Sequence, residues 1–176
     1  RAEVFDADAL LRLAETELMT ALDQAALAEV EAAARQVATV TAFVPMALAD
    51  VATALYSNTR LIRRLSELYG GRSGNFGSLR LLRRVFSSLL GAGAIALADD
   101  LIGSVASGGI LSKLSRRFGE GFVNGALTTR VGLAAMELSR PLPFAALPRP
   151  TTTATTSRAL AGFFARAEAA TTDAKP

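Results

Sequence analysis

The sequence has no cysteine, no histidine and no tryptophan. Without cysteine there are no disulfides and no thiolate metal ligands. Without histidine, imidazole ligation, Ser–His–Asp triads and Cys–His pairs are excluded as well. A metal site built on carboxylates alone survives this exclusion, but no acidic spacing supports one, and no cofactor is expected. The lack of cysteine leaves the redox compartment open. Aromatic residues are few and proline is scarce before Pro141. Alanine and leucine dominate instead, which is the composition of a helical protein and not of a sandwich or barrel. A chain of 176 residues suits one domain with one core of useful size.

Long apolar runs are also missing. A membrane span needs about 18 or more uncharged apolar residues. The longest uncharged runs, Gln36–Ala49 and Val85–Ala98, have 14 residues each and read as buried core helices. No charged segment leads into a short apolar one, so no signal peptide is expected.

What is present is an uneven charge. Residues 1–50 hold three arginines against nine acids, whereas residues 51–98 hold seven arginines against Glu67 alone. That asymmetry carries more information than the formal total of +3.

The stretch Gly119–Phe144 organises the chain. At about 100° per residue, Gly121, Gly125, Thr128, Gly132 and Ala135 fall within about 60° of one another on a helix. Glycine inside a helix costs on the order of 1 kcal/mol against alanine. A stripe kept in register therefore predicts another backbone lying close along it, in the same subunit or across a homodimer. The helix should end near Ser139, because Pro141 disfavours α geometry at Arg140.

Elsewhere, Phe5 to Phe43 reads as one long amphipathic helix, with Leu10, Leu13, Glu17, Met19, Thr20, Leu27 and Val30 in helical period. Pro45 suits the first turn of a second helix that runs to Tyr69 and stops at Gly70-Gly71. Gly70–Ser78 resembles a phosphate loop only superficially, since it has no Gly-Lys-Ser/Thr. Ser78 caps a third helix, Leu79 to about Ile102. Gly103–Gly109 is a break, and a fourth helix covers about Leu111 to Ser139. Arg140–Pro150 is extended, Thr151–Ser157 reads as a polar linker, and Arg158–Ala170 as a short terminal helix. The expected fold is all-α: a bundle of four main helices, two of them long, plus a short C-terminal helix. Residues 1–150 form one domain, with the long helix at 1–43 and a helical core at 45–144. Residues 151–176 are linker, terminal helix and a disordered end.

The residues Leu127-Thr128-Thr129-Arg130-Val131-Gly132, Ala135-Met136 and Arg140-Pro141-Leu142-Pro143-Phe144 carry a resemblance. So do Asp50, Asn58, Arg60-Leu61-Ile62, Leu68-Tyr69-Gly70 and Leu79-Arg80-Leu81. Between Thr41 and Phe144 the chain resembles the YcjF-type family of bacterial inner-membrane proteins, departing at Thr129, where that family more often has alanine. The resemblance implies transmembrane helices N-terminal to this region, the inner membrane as location, and a GTPase as partner.

Arg60, Arg63, Arg64, Arg72, Arg80, Arg83 and Arg84 surround one turn. Guanidinium groups offer planar paired donors that suit carboxylates and phosphates. Either the acidic first helix lies against this hairpin, or the hairpin docks an acidic partner or an anionic membrane surface. Nucleic acid is poorly supported, because only Tyr69 and Phe76 stand near for stacking. Arg130, opposite the small-residue stripe, is either solvated or buried against a carboxylate such as Asp50 or Glu137. Arg140, Pro141 and Pro143 close the helix and fold an apolar strap back onto the bundle. The expected function is a non-enzymatic interaction domain on the cytoplasmic side of the membrane. The alternative is a lipid-binding domain in which Val37–Ala49 and Val85–Ala98 enter the bilayer.

Overall fold

The computed structural model describes residues 2–43, 47–71, 83 and 110–163. Helices α1 (Ala2–Phe43), α2 (Ala47–Leu68), α3 (Ile110–Ser139) and α4 (Thr152–Ala159) are present, with no strand among the described residues. The all-α expectation is met, including the two long helices. The expected helix from Leu79 to Ile102, its cap Ser78 and the break at Gly103–Gly109 lie outside the described residues.

α1 and α3 run antiparallel and form the spine. The contacts are made by small residues, as the stripe predicts. A Cβ on Gly121 would lie 2.6 Å from the Ala38 carbonyl oxygen, and one on Gly125 would lie 3.0 Å from the Ala38 methyl. A Cβ on Gly132 would lie 2.7 Å from a Val30 methyl. The neighbour that justifies the stripe is thus α1 of the same chain. Thr128 and Ala135 are buried along the same seam. α3 passes Gly119 and Gly121 without interruption.

α2 folds back on α1 and closes one half of the core. Ala26, Val30, Leu61, Ile62, Leu65, Val131, Ala135 and Met136 pack together there. The helix ends as the glycines predict: Gly70 adopts φ 84°, and the Gly71 N–H donates to the Ser66 carbonyl at 2.7 Å. That left-handed closure is cheap only for glycine.

The other half of the core lies where α4 meets the spine. Ala34, Ala38 and Ala42 face Phe118, Leu160 and Phe163. Phe118 meets Phe43 and Phe163 edge-on, with ring centroids 5.5 Å apart in both pairs. The polar run at 151–157 is therefore not a linker. Thr151 caps α4 by accepting a hydrogen bond from the Ala154 N–H at 3.3 Å, and Thr155 and Thr156 are buried. Arg35 donates to the Ala159 carbonyl at 2.9 Å and Arg158 pairs with Glu31 at 2.7 Å, tying α4 to α1. A threonine-rich run low in charge reads as loop by composition, but here tertiary burial decides. The packed unit extends past residue 150 to Phe163.

The periodic residues of α1 do not all face inward. Met19 and Val30 are buried, whereas Leu10 and Leu13 are 64% and 58% exposed. No described helix is long and apolar enough to cross a membrane.

Candidate functional site

The chemistry of the interior is concentrated in one ionic cluster under the Pro-rich strap. Arg140 follows the last residue of α3, and its side chain is almost fully enclosed, at 1% exposure. Its Nε donates to both Asp23 carboxylate oxygens at 3.1 Å, and its Nη2 donates to Glu15 at 2.9 Å and to Asp23 at 3.0 Å. Its Nη1 donates to the Leu142 carbonyl. The Phe144 ring covers the guanidinium, 3.9 Å from centroid to Cζ. Tyr69, just past α2, donates to Asp23 at 2.7 Å.

Two carboxylates face one guanidinium, so the cluster needs further donors. The strap supplies them. The N–H groups of Ala145, Ala146 and Leu147 donate to Glu15 at 2.9, 2.6 and 3.3 Å. Successive backbone amides curled around one carboxylate form an anion-binding nest. Burial pushes the Glu15 pKa up, but the Ala146 and Ala145 amides, Arg140 and the Leu147 amide outweigh it and hold the group at about 2. Burial alone would lower the Arg140 pKa; Asp23 and Glu15 raise it instead. Burial and the bond to Asp23 raise the Tyr69 pKa far above its ordinary value, so the phenol stays a donor. Glu15 and Arg140 are thus both held in their ionised states, which suits a clamp. Proton transfer needs a group poised near the working pH.

The buried, paired arginine is thus Arg140. Arg130 is only half-buried, and Glu137, offered as its partner, bridges to Arg149 at 2.8 Å. The side chain of Asp50 lies outside what is described. Pro141 and Pro143 are exposed, while Leu142 and Phe144 are half-buried; Phe144 packs against the core, so the strap does fold back. Glu15, Asp23 and Tyr69 are the residues sequence reasoning missed. The available signal was two acids eight positions apart on the face of α1 that also carries Met19 and Val30.

The arginines set out for docking divide. Arg64 pairs with Glu29 of α1 at 2.8 Å, and Arg63 with Glu67 of its own helix at 2.8 Å. The acidic first helix therefore does lie against α2, through the Arg64–Glu29 pair. Arg60 and Arg83 are exposed. Arg72, Arg80 and Arg84 lie outside the described residues. No group of three or more acidic residues is placed to hold a metal ion among the described residues.

A second surface is more distinctive. On α1, Leu10, Leu11, Ala14 and Leu18 fall within about 100° of one another, opposite the buried face. Leu10, Leu11 and Leu18 are 64%, 53% and 60% exposed. Ala21, Ala25 and Ala28 continue the row and are exposed too.

Residues 5–164 match the family described as Domain of unknown function (DUF697). The chain is 47% identical over 148 residues to a UPF0283 membrane protein of Rhizobium meliloti (strain 1021), covering 84% of this chain and 41% of that protein. It is 51% identical over 148 residues to one of Rhodopseudomonas palustris (strain ATCC BAA-98 / CGA009), covering 84% and 40%. The chain thus spans about two-fifths of the length of these relatives. No solved structure matches it. With the match extending over nearly the whole chain, it belongs to the DUF697 family and is similar to bacterial proteins named as membrane proteins.

Proposed function

We propose that this chain is a non-enzymatic helical interaction domain of a bacterial inner-membrane protein, presented on the cytoplasmic side and working with a GTPase partner. The observation that carries it is the outward row of Leu10, Leu11 and Leu18 on a helix whose opposite face is already packed. Contiguous exposed apolar side chains on a folded domain mark a surface for a partner. The cluster around Arg140 is consumed by internal pairing and offers no acid or base to a substrate. The GTPase is what the resemblance over Thr41–Phe144 implies. The names of the relatives support the membrane.

The rival bilayer reading loses one of its two segments, because Val37, Ala38 and Ala42 are buried in the core. Val85–Ala98 lies outside the described residues. The test uses the full-length protein in its native membrane, with a photo-crosslinking residue at Leu18 and a control at exposed Ser157. A crosslink from Leu18 to a GTP-binding protein, abolished by Leu10→Glu, is expected. Crosslinks from Leu18 to lipid alone would overturn the reading.

A further inference from the structure

Midway along the α1–α2 hairpin is a cavity of about 100 Å³, lined by one face of each helix. Ala32 and Ala33 are the small residues of its α1 wall. Pockets for drug-sized ligands measure roughly 300–1,000 Å³, so this one has room for a single small group. Three features of its wall point to what that group is.

Ser57, 5% exposed, lies on the wall, and its hydroxyl is buried without a hydrogen-bond partner. A serine or threonine inside a helix ordinarily bonds back to the carbonyl four residues earlier. Thr59, two positions on, does so to Leu55 at 2.7 Å, as do Thr16, Thr20, Thr39 and Thr129 at their own positions. Ser57 does not, so a residue of the cavity wall keeps a buried hydroxyl without a partner.

Arg60 also lines the cavity, is exposed, and has no hydrogen bond or ion pair to another described residue. Its neighbours are different: Arg64 is neutralised by Glu29 through bonds of 2.8 and 2.9 Å. The net charge at the cavity is therefore that of Arg60, one positive unit, with Gln36 also on the wall. A guanidinium, a hydroxyl and an amide around a space of this size match an oxyanion, for which charge-assisted bonds are the strong ones.

We infer that the α1–α2 cavity binds one phosphate group, with Arg60 as the charge partner and Ser57 as the donor on its wall. The phosphate is carried either by a soluble ligand or by a lipid headgroup.

The test is a titration of the isotope-labelled chain with inorganic phosphate at low salt, followed through the amide resonances of α1 and α2. Saturable shifts centred on Ser57 and Arg60 by about 10 mM phosphate are expected. Arg60→Gln should weaken binding about tenfold or more, and Ser57→Ala about threefold. Arg63→Gln removes the same charge from the same helix but from a residue paired with Glu67, and should leave the affinity unchanged. In a second arm, phosphatidylglycerol vesicles are compared with phosphatidylcholine vesicles. Arg60-dependent binding to the former, competed by phosphate, identifies a headgroup; phosphate binding without vesicle binding identifies a soluble ligand. Absence of saturable shifts, or equal weakening in Arg60→Gln and Arg63→Gln, would overturn the site and leave only diffuse electrostatics.

Discussion

Replacing Arg140 with methionine should be the most damaging single change under the strap. The substitution keeps most of the side-chain volume, and Phe144 could still pack against it. What it removes is the only guanidinium among the described residues bonded to Asp23 and Glu15, whose side chains are 11% and 2% exposed. Two carboxylates then face each other with the Tyr69 hydroxyl and the strap amides as their remaining described donors. Breaking a buried pair by deleting one partner costs about 3–5 kcal/mol, because the other charge stays desolvated. A domain of this size shifts by roughly 2–4 °C per kcal/mol, so Tm should fall by about 6–20 °C. The comparison is Arg149→Met. Arg149 bridges Glu137 at 2.8 Å with both side chains more than half exposed, and exposed pairs contribute only about 0–1 kcal/mol. Thermal unfolding followed by circular dichroism distinguishes the two. If both variants melted within about 2 °C of the parent, the cluster would be solvated in practice and the clamp argument would fail.

The seam between α1 and α3 predicts an order of damage. Gly121→Ala should destabilise more than Gly125→Ala, because its methyl meets a backbone carbonyl at 2.6 Å where the other meets a methyl at 3.0 Å; equal urea midpoints would contradict this. Gly125→Leu should cost about 1–3 kcal/mol or more through overpacking, and an unchanged midpoint would show the seam to be loose. Acid sensitivity follows from Glu15, whose pKa in the fold is about 2 against an ordinary 4.5. A lowered folded-state value stabilises fully above 4.5, and that stabilisation is lost as pH falls towards 2. Glu15→Gln should therefore lose less stability than the parent over that range, and identical slopes would refute the assignment. Thr151→Ala should cost about 1 kcal/mol at the start of α4, read as faster hydrogen exchange at Ala154 and Thr155; unchanged exchange would mean the cap is idle.

The helical ladder of the chain was legible because local signals agree with the packing. The small-residue stripe fixed which face of α3 is tight, Gly70-Gly71 closed α2, and Pro141 closed α3 at Ser139. The stripe left its partner open, since small residues suit any close backbone, and only the fold selects Ala34 and Ala38. α4 was not legible. Thr151–Ser157 has the composition of a linker, and its helix is stabilised by burial of Thr155, Thr156 and Ala159 against distant elements. The direction of Leu10 and Leu13 was also misleading, because α1 has apolar residues on both faces in its first half and periodicity alone does not say which face is covered.

The strap shows why a strong local motif is poor evidence of a binding site. Arg-Pro-Leu-Pro-Phe puts a charge beside two prolines and an aromatic, a set that reads equally well as a docking loop. Its partners, Glu15 and Asp23, lie 125 and 117 residues away in sequence, so no window around the motif contains the answer. The chain bends at Pro141-Leu142 instead of running extended, the following amides turn onto Glu15, and Phe144 returns over Arg140. Every polar group that makes the motif conspicuous is thereby used inside the fold. Groups able to meet another molecule must be those the fold leaves unused. Among the described residues these include the leucine row of α1 and, in the α1–α2 cavity, the Arg60 guanidinium with the Ser57 hydroxyl. Both lie on the first two helices, and of these residues only Arg60 stands in a run that the sequence itself made conspicuous.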